Sequence, residues 1–216
     1  MKAKPRANRS KGFDGSIEED ERRRPGFWTL LREVPHVVGK VGFRGLTYRR
    51  LASDAGVTYG LISYYFGSRD SLIEKAAYLA SEEAIERSRL VATSSEIDDF
   101  AAGLSKLLAE EPDAQAFQYE LACEARRSPS LQPSVKRMYD RYVAVVSSSL
   151  DELGVAHDEA LARVVFAALD GLVLQQLVYG DGKLTDESVV ALRRVLAALP
   201  KQKKSDRSKR AVTTGE

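Results

Sequence analysis

From Phe27 onward, apolar residues recur at three- and four-residue steps, and alternation of period two is hard to find. That spacing puts one apolar stripe along each of a series of helices. Turn and capping residues divide the series at 42–45, 56, 67–68, 93–95, 111–112, 128–133, 154 and 180–182. The expected fold is all-α, with about nine helices, no sheet and no long-period internal repeat. One helix conflicts with its own pattern. The stripe over 27–41 contains Pro35, which removes a backbone donor and clashes with the preceding turn. A kink near Val34, or two short helices, is expected there.

Residues 47–66 read TYRRLASDAGVTYGLISYYF. Thr47 is a good N-cap, and Leu51, Ala52 and Ala55 share a face of the helix it opens. Gly56 can take the left-handed conformation that ends a helix, and Val57 plugs the corner. Thr58 caps a second helix striped by Leu61, Ile62, Tyr65 and Phe66. A small Ala52 at the crossing, Gly56 at the turn and Ile62 packing back into the angle fit a DNA-binding helix-turn-helix. The alternative is an ordinary helical hairpin. In a major groove, the N-terminal part of the second helix meets base edges, which nominates Thr58, Tyr59, Gly60, Leu61 and Ser63. Thr47, Tyr48 and Arg49 open the preceding helix, where free N–H groups favour phosphate. Tyr64, Tyr65 and Arg69 are further phosphate candidates. Each tyrosine has core packing as its other reading, Tyr65 above all.

These residues match a known pattern. Gly42-Phe43, Thr47, Leu51-Ala52, Ala55-Gly56-Val57-Thr58, Gly60, Tyr64-Tyr65-Phe66, Arg69-Asp70 and Leu72 together resemble the signature of the tetracycline-repressor (TetR-like) regulators. The resemblance implies a three-helix DNA-binding domain, a fourth helix leading to a larger helical regulatory and dimerisation domain, and a homodimer on a palindromic operator. It implies release from DNA by a small-molecule effector, whose identity it leaves open, and no other cofactor. The family's contact pattern falls on the same residues nominated above. Two positions depart from the pattern: Ser63 stands where a tyrosine is common, and Pro35 interrupts the first helix. The expected organisation is an arm over 1–24, a DNA-binding domain over 25–70, a ligand-binding and dimerisation domain over 71–200 and a basic tail over 201–216.

The connecting helix is expected over 70–91, buried through Leu72, Ile73, Ala76, Leu79, Ala80 and Ala84. Further on, Leu161, Val165, Ala168 and Leu172 fall at helical spacing, with Phe166, Leu174 and Val178 apolar on the other side. A helix apolar nearly all round is buried on both sides. Val189, Leu192 and Leu196 supply a second stripe. The two helices and their copies are expected to form a four-helix dimer interface, with a deep monomer core as the alternative. Phe100, Phe117, Cys123, Met138, Tyr142 and Phe166, with Tyr119 and Tyr139, are candidates to line a ligand cavity, and Glu120, Glu124, Gln175 and Gln176 to anchor a ligand.

The net charge of +2 hides an uneven distribution. Lys2, Lys4, Arg6, Arg9 and Lys11 open the chain without an acid among them, and Lys201, Lys203, Lys204, Arg207, Lys209 and Arg210 stand against Asp206 near its end. Basic arms on a more acidic body fit nucleic acid, or merely solubility. Cys123 is alone, so neither a disulfide framework nor a cysteine-rich zinc site is expected. No bilayer-length apolar run and no signal peptide are apparent, so the expected location is the cytoplasm without membrane contact. His36 and His157 lack a recognisable Ser or Cys partner in sequence, and no phosphate-cradling glycine loop is present, so no enzyme is expected. A helical scaffold without DNA readout and a nonspecific architectural DNA binder are the competing functional classes.

Overall fold

The structure is a computed structural model that describes residues 26–92 and 94–202. The arm over 1–24, the tail from 203 onward and Thr93 lie outside the described residues. Within them are nine α-helices, two short 3-10 turns and one isolated bridge between Val155 and Lys201. The helices are α1 (Phe27–Gly45), α2 (Tyr48–Asp54), α3 (Tyr59–Phe66), α4 (Arg69–Arg87), α5 (Leu104–Glu110), α6 (Pro112–Ala125), α7 (Gln132–Glu152), α8 (Glu159–Tyr179) and α9 (Gly182–Ala198). The all-α expectation therefore holds, and the breaks fall where capping residues stand.

Pro35 does not interrupt α1 where expected. The helix runs through it, and the non-helical residue is Gly42, at φ 66 and ψ 175. The proline still deprives the Leu31 carbonyl of its helical partner. Leu30, Leu31, Val34, Val37 and Val38 are all buried around it, so packing holds the rod together against that local cost.

Two hydrophobic clusters organise the chain. The first joins α1, α2 and α3 to Leu72, Ile73, Ala76, Ala77 and Ala80 of α4, and includes Phe117, Leu121 and Ala125 of α6. The second begins at Ala84 and Ile85 and takes in α5, α7, α8 and α9. Helix α4 thus belongs to both, changing cluster between Ala80 and Ala84. Past α4 the backbone doubles back, with the Ala101 N–H donating to the Arg89 carbonyl at 3.0 Å and Gly103 to Ser88 at 3.1 Å. A Cβ at Gly103 would stand 2.1 Å from the Arg87 carbonyl oxygen, so only glycine fits this crossing.

One helix bears on the expectation that no apolar run spans a bilayer. Helix α8 is long and apolar enough to cross a bilayer by those criteria alone. It packs against α5, α6, α7 and α9, burying Ala162, Val165, Phe166, Leu169 and Val173 in the second cluster and leaving its other face outward.

Candidate nucleic-acid interface and ligand cavity

The helix-turn-helix is built as its sequence dictates. The Thr47 hydroxyl accepts from the Arg50 N–H at 3.2 Å and caps α2. Gly56 takes φ +65, and the Val57 N–H donates to the Ala52 carbonyl at 2.9 Å across the corner. Thr58 occupies the N-cap position of α3, yet its side chain accepts no bond from the helix, and the residue is exposed. Ile62 and Phe66 are buried, so the opposite face of α3 projects Thr58, Tyr59, Gly60, Ser63 and Tyr64. Tyr59 is 57% exposed and Tyr64 70%, which is unusual for large aromatic groups. A Cβ on Gly60 would meet nothing within 4 Å, so internal packing does not demand a glycine there.

Neighbouring helices complete this surface. Thr47 and Arg49 are exposed, as are Arg44 and Arg50, two basic residues that the motif reading passed over although they adjoin it. Tyr48 is half-buried, its ring centroid 5.8 Å from that of Tyr59. Burial and Tyr59 hold the Tyr48 phenol above its ordinary range, against a pull from Arg69.

Three nominated contacts are placed differently. Tyr65 is buried, edge-on to Phe27 and Phe66, because it continues the apolar stripe with Ile62. Leu61 is half-buried against the first cluster rather than freely projecting. Arg69 donates through Nε to the Leu46 carbonyl at 3.3 Å and through Nη2 to the Phe43 carbonyl. Its guanidinium therefore ties the end of α1 to the start of α4, and serves to position the motif.

A cavity lies in the second half of the chain. Ala84 of α4 and Ser88 at its C-cap, Gln115, Gln118 and Tyr119 of α6, Met138, Tyr139 and Tyr142 of α7, and Phe166, Leu169, Asp170 and Val173 of α8 are among its walls. The cavity is narrow, with a volume of about 50 Å³. Side chains must therefore move before a drug-sized molecule fits. Met138, Tyr142 and Phe166 line it as expected from the sequence. Phe100 and Phe117 do not: both are fully buried, and Phe117 stacks on Phe43 at 5.8 Å between α6 and α1. Cys123 is exposed. Spacing marks such residues as apolar without saying which of two clusters each joins.

Asp170 is the cavity residue that sequence reasoning missed as a site residue. The Tyr119 hydroxyl donates to its carboxyl at 2.9 Å and reaches the Asp170 backbone carbonyl at 2.7 Å. Burial pushes the Asp170 carboxyl above the usual carboxylate range, and the Tyr119 bond pulls it partly back. Burial and the Asp170 charge push the Tyr119 phenol far up in turn. The Tyr142 hydroxyl donates to Gln118 Oε1 at 2.8 Å, and Gln118 donates to Gln115 at 3.3 Å. The available signal was an acid in the middle of a largely apolar helix. The polar anchors nominated instead lie elsewhere. Gln176 donates to the Ser105 carbonyl at 2.9 Å, Glu124 faces Arg127, Gln175 is exposed, and Glu120 lies outside the cavity walls.

The expected interface residues also divide. Val165, Val189 and Leu196 are buried in the chain's own second cluster. Leu161, Leu172 and Leu192 are half-buried, and Ala168 is exposed. Outward positions are instead held by Val164, Leu174, Val178 and Tyr179 of α8 and Leu184, Val190 and Val195 of α9. Among the described residues, seven of the ten exposed large hydrophobic side chains thus fall on these two helices, and Tyr59 and Tyr64 on α3. Neither histidine is isolated. His36 Nδ1 is 2.9 Å from Asp113 Oδ2, joining α1 to α6. His157 Nε2 is 2.8 Å from Ser147 Oγ, a contact that sequence distance concealed. The His157 ring is buried and its Nδ1 lies 3.0 Å from the Val155 carbonyl, so the pair clasps the loop before α8 onto α7.

A tight helix pair with exposed tyrosines at its leading edge, set on a helical body with an internal cavity, defines a helix-turn-helix regulator. Residues 36–76 match the family described as bacterial regulatory proteins, tetR family, and residues 95–199 match the tetracyclin repressor-like C-terminal domain. The chain belongs to the TetR family of transcriptional regulators. It is 40% identical over 47 residues to the HTH-type transcriptional regulator BetI 1 of Chromohalobacter salexigens, a match spanning 22% of this chain and 23% of that relative. The fold is similar to that of a transcriptional regulator from Rhodococcus sp. Rha1, at TM-score 0.65 and 20% identity, covering 78% of this chain and 94% of that one. It is also similar to the multidrug binding protein EbrR complexed with ethidium, at TM-score 0.56 and 25% identity, covering 80% and 98%.

Proposed function

We propose that this chain is a ligand-responsive transcriptional repressor that binds a palindromic operator as a homodimer and is released by a small molecule in the cavity. The observation that carries this reading is the position of α6. Its Gln115, Gln118 and Tyr119 line the cavity, while its Phe117 and Leu121 lie in the cluster that holds the helix-turn-helix. A molecule that wedges the cavity open displaces a helix packed directly on α1. The multidrug binding of the similar protein EbrR supports assigning the cavity to an effector.

In this reading residues 25–70 bind DNA, with Thr58, Tyr59, Gly60 and Ser63 at base edges and Thr47, Tyr48, Arg49 and Tyr64 at phosphates. Residues 71–200 bind the effector and dimerise. The outward valines of α8 and α9 meet their copies, which sets the two α3 helices at half-site spacing. The protein then works in the cytoplasm, and it performs no catalysis.

A gel shift against the DNA upstream of its own coding region tests this reading, together with sedimentation of the free protein. A specific complex formed by a dimer is expected. Equal binding to every sequence with a steep salt slope would favour an architectural role, and no binding at any salt a scaffold.

A further inference from the structure

The cavity has one carboxyl group and no basic side chain to pair with it. Among its lining residues Asp170 is the sole acid, and no lysine, arginine or histidine is present. Within the described residues, no ion pair involves Asp170, and its hydrogen-bond partner is the neutral Tyr119 phenol. A carboxylate so placed loses hydration without gaining a counter-charge. Around it stand four aromatic rings. Tyr142 stacks on Phe166 with centroids 5.1 Å apart and planes 12° apart, and Tyr139 meets Phe166 edge-on at 5.7 Å. Tyr119 completes the wall. Ring faces attract cations, and they do so more strongly where water is excluded.

We propose that the cavity takes a flat organic cation, its charge held by the Asp170 carboxylate and its rings lying among Tyr119, Tyr139, Tyr142 and Phe166. This rests on reading the cavity as the effector site, and it adds the chemical class of the ligand. An anion would meet like charge with no cationic group to receive it. A neutral molecule would leave the carboxylate without a counter-charge. A cation turns the cost of that buried charge into binding energy, which is differential affinity for the ligand-filled state. Met138, flexible and on the cavity wall, can move aside to enlarge the narrow space.

Three probes of nearly one shape separate charge from size: N-methylacridinium, neutral acridine at about pH 8, and acridine-9-carboxylate. Calorimetry on the full chain is expected to rank them in that order, with the cation preferred over the neutral ring by roughly tenfold or more. Asp170→Asn keeps the shape and the acceptor for Tyr119, and is expected to abolish that preference while leaving acridine binding within about threefold. Equal or tighter binding of the neutral or anionic probe to the unaltered protein overturns the proposal. So does an undiminished preference in Asp170→Asn, or no detectable cation binding at millimolar concentration. If the variant fails to fold, the order of the three probes on the unaltered chain still decides. The effector reading is judged separately, by gel shift. Should acridine bind as well as its cation and still release DNA, the ligand class fails and the regulator stands. Asp170-dependent cation binding that leaves the DNA complex intact at saturation means the reverse.

Discussion

Tyr59 and Arg69 lie close together near the helix-turn-helix, but what they touch separates their effects. Tyr59 projects from the start of α3, so Tyr59→Ala is expected to cost ~1–3 kcal/mol on the cognate operator and little on random DNA, as measured by gel shift. Arg69 already donates from Nε and Nη2 to the Leu46 and Phe43 carbonyls. Arg69→Ala is therefore expected to lower the melting temperature and to weaken all DNA alike; unchanged stability would return this side chain to a phosphate-binding role. Asp170 carries a different sign. Its folded carboxyl holds its proton to higher pH than the unfolded one, through burial. Over the window between the two values the folded state binds more protons, so stability falls as pH rises through it and stays lower at neutral pH. Asp170→Asn removes this term. Its melting temperature is expected to exceed that of the unaltered protein near pH 7, with the gap closing in acid. A lower melting temperature at both pH values would show that the carboxylate is well compensated in the fold. Such a residue is retained at the expense of stability where binding needs it.

At the scale of elements, the period of the sequence specified the helices and left their azimuth open. Gly56, the Thr47 cap and the stripe of α3 were legible because each is a local signal with a local cause. Pro35 misled because propensity is weak against five buried neighbours on the same helix. The faces of α8 were illegible for a plainer reason. Both are apolar, and spacing alone does not tell a chain's own core from another surface. The structure separates them. Leu196, buried within the chain, is expected to cost ~2–5 kcal/mol of folding stability on truncation to Ala and to leave the oligomeric state unchanged. Val164→Asp with Val178→Asp should do the opposite. Those side chains are 64% and 71% exposed, so folding should survive while sedimentation shifts from dimer to monomer at micromolar concentration. A double variant that still sediments as a dimer would place the interface on another face. The cavity was legible only in part, since Met138, Tyr142 and Phe166 share an apolar signature with Phe117, which the fold sends to the other cluster.

For the whole molecule, the question is how a filled cavity reaches a DNA surface formed by different helices. Two elements span the gap. Helix α4 changes cluster along its length, and α6 presents one side to the cavity and the other to α1. The α6 junction is held by stacked Phe43 and Phe117 and by the contact of His36 with Asp113, which is partly exposed on both sides. Coupling is a free-energy difference and is reciprocal: whatever the ligand does to DNA affinity, DNA must do to ligand affinity. That separates a relay from a support. A residue that only supports the fold changes both affinities and leaves their ratio alone, whereas a relay residue changes the ratio. Asp113→Ala breaks the polar half of the junction and leaves the aromatic half in place. It is expected to keep free DNA affinity and N-methylacridinium affinity each within about threefold, and to shrink the factor by which one weakens the other. The size of that change should be ~0.5–2 kcal/mol, in the range of mutations along coupling routes. Measuring ligand binding to free and DNA-bound protein gives the factor from one side, and titrating DNA with and without ligand gives it from the other. If both routes return the unaltered factor, the signal passes through α4, and the same pair of titrations on Ala84→Leu, at the cavity end of that helix, becomes the decisive measurement.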